Sequence, residues 1–172
     1  MDTHRGPGGS DPRFDIRSQA EDDVCLIEVR GEVDEGTAPE LSAALEAAVG
    51  AGARAVVVDL CRVTFMDSRG LWVLIRARRA LIGRSVALSL ACLPDGAAGR
   101  ILALTGLITA FDIHASGADA LDAVLGPGRV RLEDPTRVSA RRLDDIERRL
   151  EAMLDDLASR DPVAPPDVES TG

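Results

Sequence analysis

Hydrophobic residues follow two spacings along the chain, and each spacing predicts a different element. Short alternating or continuously apolar segments are typical of strands, whereas apolar residues at every third or fourth position are typical of helices. The segments FDIRSQ and VCLIEVRG, separated by AEDD, predict two strands joined by a turn. AVVVDL is apolar without interruption, which predicts a central strand covered on both faces.

A helix is predicted between the second and third strands. Thr37 is the expected N-cap, Pro39 falls in the first turn, and Gly50 and Gly52 end the segment. Its apolar residues recur at helical spacing: Leu41, Ala44, Leu45, Ala48 and Val49.

Strands and helices then alternate as far as the breaker GPG. A helix ending at Gly83 is followed by the strand SVALSLA, the helix PDGAAGRILALTGL, the short strand AFDIHA and the helix GADALDAVL. This order predicts an α/β fold with a mostly parallel sheet, an antiparallel first strand at its edge and about four flanking helices.

The chain divides into four expected regions. Residues 1–13 read as a disordered lead, 14–126 as the domain, 127–160 as a linker with a charged amphipathic helix, and 161–172 as a disordered tail. The C-terminal extension helix carries an apolar seam: Leu143, Ile146, Leu150, Met153 and Leu157. Two interpretations stay open, a short heptad seam that forms a homodimer and a helix folded back onto the domain.

Composition excludes several function classes. The formal net charge of −9 disfavours binding to nucleic acid or to an anionic membrane. The chain has no lysine, which excludes a Walker-type phosphate lysine, a Schiff base and a Ser-Lys dyad. Because every basic side chain is arginine and Ala and Gly abound, the composition suits a G+C-rich, actinobacterial gene.

Location and cofactors are predicted from what the sequence lacks. The first residues contain no apolar signal segment, and ILALTGLITAF is too short to span a bilayer, so we expect a cytoplasmic protein. Cys25, Cys61 and Cys92 fit no metal motif and are expected to be reduced and buried. A Cys61–Cys92 disulfide is the weaker alternative. No metal or cofactor is predicted.

The segment VTFMDSRGLW places Ser68 at a strand-to-helix junction. Either Asp67 or Ser68 could cap the helix that follows. Gly70 is costly inside a helix, by about 1 kcal/mol relative to alanine, which suggests that another body approaches its backbone closely. Ser68 could therefore be a cap, a nucleophile or a modification site.

Catalysis is the least supported of these roles. A nucleophilic serine needs a base, yet His4 lies in the lead, His114 lies in the last short strand, and no GxSxG elbow surrounds Ser68. An aspartyl-phosphate receiver built on Asp59 would need a lysine that the chain does not have. The sequence therefore predicts a protein that is not an enzyme.

Three segments together resemble a known family. GEVDEGTAPEL, AVVVDLCRVTFMDSRGLWVLIRARRAL and LALTGLITAFDIHASGADAL are similar, in that order, to segments of STAS domains such as the anti-anti-sigma factors, also called anti-sigma factor antagonists. The resemblance covers about residues 14–125. Its middle segment, with the D-S-x-G-L motif, is the most specific.

The resemblance implies a role in partner switching that regulates sigma-factor-dependent transcription, as in stress responses. In that family an anti-sigma factor, itself a serine kinase, binds the unphosphorylated antagonist and phosphorylates the motif serine, here Ser68; a PP2C-type phosphatase reverses this. Asp67 would belong to the same recognition element, and Gly31, Asp34 and Thr37 to a neighbouring contact loop. The alternative is a STAS subunit of a transporter or sensory scaffold that is never phosphorylated.

Two positions depart from the family's usual pattern. Arg69 and Trp72 stand where small residues are common, and with Arg76 and Arg79 they share one predicted helix face, opposite Leu71, Leu74, Ile75 and Ile82. Trp72 is either an interface residue or a packing lid. Arg69 either pairs with phosphoserine or selects an acidic partner. The expected partner-binding set is Gly31, Asp34, Thr37, Asp67, Ser68, Arg69, Gly70, Trp72 and Arg76.

Overall fold

A computed structural model describes residues 14–126, 145 and 148–152, and within them it contains one five-stranded sheet in the order β1-β2-β3-β4-β5. The strands are β1 (Asp15–Glu21), β2 (Val24–Val33), β3 (Ala55–Met66), β4 (Ala87–Ala91) and β5 (Asp112–His114). The helices are α1 (Ala38–Gly50), α2 (Ser68–Ile82), α3 (Ala97–Leu104) and α4 (Gly117–Leu125), with a 3-10 turn at Leu107–Thr109.

The sheet has the predicted mixed topology. β1 pairs antiparallel with β2, from Asp15 opposite Arg30 to Glu21 opposite Val24. The pairs β2–β3, β3–β4 and β4–β5 are all parallel. The predicted α/β fold with an antiparallel edge strand is confirmed, because each parallel pair is connected through a helix.

The central strand β3 is covered on both faces, as its unbroken apolar run predicts. Val56, Val58 and Leu60 belong to the main hydrophobic cluster, which they share with residues of α1, α2 and α3. Val57 lies on the other face in a smaller cluster with Ala120 of α4. Alternate residues of one strand therefore serve two cores.

β2 and β3 continue past the other strands and carry the candidate site at their ends. β3 pairs with β4 only as far as Asp59, whereas its pairing with β2 extends to Met66 opposite Val33. The Asp67 N–H then donates to the Val33 carbonyl at 3.1 Å. The turn between β2 and α1 is thereby held beside the first turn of α2.

One part of the predicted apolar face of α2 is wrong. Leu71, Leu74 and Ile75 are fully buried as predicted, but Ile82 is 43 % exposed, and Leu81 is buried instead. The helix packs against α1 as well as against the sheet, so its buried face is not set by the sheet alone.

Part of the C-terminal extension lies within the described residues. Positions 145 and 148–152 are helical, and Leu150 is only 7 % exposed, as a member of the main hydrophobic cluster. This burial favours the folded-back interpretation for Leu150. The other seam residues, the lead and the tail lie outside the described residues. None of the helices described is long and apolar enough to cross a membrane.

Candidate functional site

Asp67, not Ser68, caps α2. Its backbone is extended, and its carboxylate Oδ1 accepts the N–H groups of Arg69 at 2.8 Å and Gly70 at 3.2 Å. Ser68 is the first helical residue and is half-buried, and its hydroxyl has no hydrogen-bond partner among the described residues. The capping of α2 therefore does not need the Ser68 hydroxyl, which is left free.

Gly70 is explained by a close approach from within the chain. A Cβ at this position would lie 2.7 Å from Val33 Cγ1 and 3.0 Å from Met66 Cγ. Both neighbours are buried, Val33 completely. Gly70 is itself buried, so it supports the site from below and is not part of its surface.

The turn between β2 and α1 is built by Asp34 and Thr37. Asp34 Oδ1 accepts the N–H of Gly36 at 2.9 Å and of Thr37 at 3.1 Å. The buried Thr37 hydroxyl accepts the Asp34 N–H and donates to the Glu32 carbonyl, each at 2.9 Å. Thr37 occupies the predicted N-cap position of α1, but its side chain makes no capping hydrogen bond. It locks the turn, because its hydroxyl is already used by the residues that precede the helix.

Gly31 stands just before this turn, where its backbone is irregular. Its φ of +85° lies in the left-handed region, and the β2–β3 register shifts between Gly31 and Glu32. A glycine is favoured there because it adopts positive φ without steric cost. Gly31 thus shapes the path of the chain into the contact loop.

An ion pair joins the turn to α2. Arg69 Nη2 lies 3.5 Å from Glu35 Oε1. The Arg69 side chain is 34 % exposed and that of Glu35 is 79 % exposed, so the pair lies at the surface. Sequence reasoning missed Glu35, because nothing in the spacing of an acidic turn residue indicates which cation it will meet.

Trp72 and Arg76 lie one to two turns further along α2. The Arg76 guanidinium carbon is 4.6 Å from the centre of the Trp72 ring, a cation–π contact. Trp72 is half-buried against the main cluster, and its indole N–H is buried without a partner in the part of the chain that the structure describes. Both residues line a groove of about 430 Å³ between α1 and α2, with Leu45, Val49 and Val73 on its walls. Trp72 thus packs against the core and also lines the groove, where part of its side chain is accessible.

The structure corrects the prediction for one of the three cysteines. Cys25 and Cys92 are buried as predicted, but Cys61 is partly exposed, and its Sγ contacts the Ala115 carbonyl at 3.5 Å. Burial, and then the hydrogen bond and negative charge of Asp59, raise the pKa of Cys61 to about 12. Burial, and then the negative charge of Asp59, also raise the pKa of Cys92, which packs in the main cluster. All three are free thiols, and no metal-binding group of His, Cys, Asp and Glu occurs among the described residues.

The predicted partner-binding residues form one surface and its support. Asp34 and Thr37 build the turn, Asp67, Ser68 and Arg69 start α2 beside it, and these two groups meet through the Arg69–Glu35 pair. Trp72 and Arg76 extend the surface along α2, and Gly31 and Gly70 shape the backbone beneath it. The N-terminal end of α2 presents the positive end of the helix dipole, but its N–H groups are already used: Asp67 Oδ1 accepts those of Arg69 and Gly70, and the Asp67 carbonyl accepts that of Leu71.

Comparisons with known proteins identify relatives of the whole domain. A family model described as "Mlab, STAS domain" matches residues 16–114. An anti-sigma factor antagonist from Mycobacterium paratuberculosis is 34 % identical, with a TM-score of 0.60, and the match covers 67 % of this chain and 98 % of that one. No curated protein matches the chain.

Two structures of the antagonist SpoIIAA share the fold at 22 % identity. The unphosphorylated form has a TM-score of 0.55 and the match covers 66 % of this chain and 96 % of that one. The phosphorylated form, from Bacillus, has a TM-score of 0.51 with coverage of 64 % and 98 %. This likeness concerns the fold, which is matched in both states of that protein.

Proposed function

Because the chain belongs to the STAS domain family, we propose that it acts as an anti-sigma factor antagonist, a binding protein and not an enzyme. The 34 % identity to the mycobacterial antagonist over nearly all of that chain supports this role. In the proposed cycle an anti-sigma factor with serine kinase activity binds the unphosphorylated chain and phosphorylates Ser68. Phosphorylation releases the kinase, and a PP2C-type phosphatase restores the binding form.

The observation that carries the proposal is the free hydroxyl of Ser68. Asp67 supplies the cap, so the Ser68 hydroxyl is not needed for capping; it has no hydrogen-bond partner in the described part of the molecule, and the residue is only partly buried. A kinase can reach such a hydroxyl without unfolding the helix. Because the residue is only partly buried, a change in its charge also acts directly on a partner bound at this surface.

Phosphorylation at this position should change binding without changing the fold. It adds about −1.5 to −2 charges at neutral pH. The positive end of the helix dipole favours an anion at this position, and Asp67 keeps the cap through the N–H groups of Arg69 and Gly70, so α2 should stay intact. A partner docked on the unmodified serine would instead meet added bulk and a desolvated charge, which weakens the complex.

The proposed interface runs from the β2–α1 turn to the outer face of α2. Asp34, Arg69, Trp72 and Arg76 are its accessible members, and the stacked Trp72–Arg76 pair is the kind of group that contributes strongly to protein interfaces. We expect a partner surface that is acidic opposite these arginines.

A second candidate function is favoured by the family model. Its description names a STAS domain and not an antagonist, and it covers residues 16–114, which include Ser68. The chain would then be a STAS subunit of a transporter or sensory scaffold that is never phosphorylated. Its surface around Ser68 would bind one partner constantly.

Mass spectrometry of the chain isolated from its native host tests the proposal. We expect a fraction that carries one phosphate group on Ser68, and we expect Ser68→Ala, isolated in parallel, to carry none. The isolated kinase should bind Ser68→Ala as it binds the wild type and should bind Ser68→Asp at least about tenfold more weakly, which corresponds to about 1.4 kcal/mol. Trp72 is the one tryptophan of the chain and reports binding by its fluorescence.

Two results would contradict the switch. One is equal binding of Ser68→Ala and Ser68→Asp by every partner that the chain captures. The other is an unphosphorylated chain that purifies in fixed ratio with a transporter, which is the outcome expected from the second candidate.

A further inference from the structure

We propose that Arg69 exchanges Glu35 for the phosphate when Ser68 is phosphorylated, and that this exchange releases the β2–α1 turn from α2. The inference rests on the proposed function, since it concerns the regulation of the same site. Through Arg69, phosphorylation on α2 would also affect the β2–α1 turn, a second element of the binding surface.

Glu35 is the carboxylate of the site that can most easily give up its partner. Asp67 holds two backbone N–H groups and Asp34 holds two within its own turn, so both are committed to local structure. Glu35 is 79 % exposed and meets Arg69 at 3.5 Å in a single contact. Surface ion pairs of this kind contribute about 0–1 kcal/mol, so little free energy opposes the exchange.

The phosphate is the stronger acceptor for a guanidinium. It carries up to two negative charges where Glu35 carries one, and its oxygens can accept two parallel hydrogen bonds from arginine. The Arg69 backbone N–H stays bound to Asp67 at 2.8 Å, which holds the base of the side chain next to Ser68 in either state. The exchange therefore needs only a rotation of the arginine side chain.

Helix geometry sets the condition for this contact. Neighbouring residues inside a helix do not face each other. Ser68, however, is the first residue of α2, and the chain before it is extended, so its side chain is not flanked by a preceding helical turn. A phosphate there is not confined by a preceding turn, and the exchange requires that it extend towards the Arg69 side chain, which reaches from α2 to Glu35.

The consequence for the turn follows from charge. After the exchange, Glu35 has lost its cation and stands near a new dianion, with Asp34 beside it. Like charges repel, so the tip of the turn is pushed away from the start of α2 while Thr37, bound to Asp34 and Glu32, holds its base. A partner that contacts both elements would thus lose two parts of its interface at once.

A titration of phosphoserine placed at position 68 during protein synthesis tests the exchange without any kinase. The second pKa of the phosphate, ordinarily about 6, is read by phosphorus NMR in the full chain. We expect Arg69→Gln to raise this pKa by about half a unit or more, because an arginine within reach favours the charged form. Arg69→Lys should restore part of the lowering, and Glu35→Gln should lower the pKa below that of the wild type, because the competing carboxylate is gone.

The outcomes separate the two proposals. Equal phosphate pKa values in wild type and Arg69→Gln would overturn the inference, and so would a Glu35→Gln variant that titrates like the wild type, since Glu35 would then not compete. Circular dichroism of each variant with unmodified Ser68 should match the wild type and serves as the folding control. Because the phosphate is installed, a negative result concerns Arg69 alone, whereas an unphosphorylated chain from the host concerns the proposed function alone.

Discussion

Replacing Gly70 with alanine tests how tightly the start of α2 is seated on β2 and β3. The new methyl group would lie 2.7 Å from Val33 Cγ1 and 3.0 Å from Met66 Cγ, both closer than ordinary van der Waals contact. Val33 is completely buried and Met66 is 5 % exposed, so neither side chain can move freely into solvent.

Two opposing effects set the expected magnitude. Alanine is a better helix former than glycine by about 1 kcal/mol, which favours the variant. Overpacking a closed site costs about 1–3 kcal/mol, because side chains leave their rotamers or the backbone shifts. We therefore expect Gly70→Ala to lower the free energy of unfolding by about 1 kcal/mol, the middle of the resulting range of about 0–2 kcal/mol.

Gly83→Ala is the matched control at the other end of the same helix. Gly83 has a φ of −61°, and a Cβ there would come no closer than 3.7 Å to any atom, the Ala80 carbonyl oxygen. This variant should be unchanged or more stable by about 0.4–1 kcal/mol, because alanine restricts the unfolded chain. Urea denaturation of both variants measures the difference.

A double variant makes the test specific to the contact. Val33→Ala removes the methyl group nearest to the added one, so Gly70→Ala should cost less in that background, with a coupling of about 0.5 kcal/mol or more. Equal stabilisation by Gly70→Ala and Gly83→Ala would refute the reasoning, as would costs that simply add in the double variant.

Two further predictions concern the Asp67 cap of α2 and the Cys61 thiol. Asp67→Ala should lower the free energy of unfolding by about 1 kcal/mol, because a helix cap is lost, whereas Ser68→Ala should leave it unchanged. Urea denaturation measures both variants, and a larger loss for Ser68→Ala would contradict the assignment of the cap to Asp67. Cys61, with a pKa near 12, should react slowly with iodoacetamide at pH 8, because the thiolate is the nucleophile and is scarce four units below that pKa. Asp59→Asn removes two of the causes that raise this pKa and should speed the reaction, as followed by mass spectrometry; equal rates would remove Asp59 from the explanation.

The raised pKa of Cys61 also predicts that alkaline pH lowers the free energy of unfolding. The pKa of Cys61 is raised in the folded chain from an ordinary value of 9.0, so the folded state holds its proton more tightly than the unfolded state between about pH 9 and 12. The contribution of the Cys61 thiol to the free energy of unfolding is therefore complete below about pH 9 and is lost as the pH rises from about 9 to 12.

The sequence by itself determined the main elements and their order, and it indicated where the candidate site lies. Hydrophobic spacing is a local property, so the alternating and helical periods predicted the five strands and four α-helices between residues 14 and 126 and the two-sided burial of AVVVDL. They did not predict the 3-10 turn at Leu107–Thr109 or the continuation of β3 to Met66. The same local signals placed Ser68 at a strand-to-helix junction, and the motif around it carried the family resemblance that the comparisons then confirmed.

Only the tertiary structure decided how the residues of the site divide their tasks. Asp67 caps α2 because its backbone is extended there, and the sequence left Asp67 and Ser68 as equal candidates. Gly70 meets Val33, and Arg69 meets Glu35, because the β2–β3 register brings the end of one strand beside the start of the next helix. Such contacts join residues far apart in sequence, so no local spacing encodes them, and they leave the Ser68 hydroxyl without a partner in the described part of the chain.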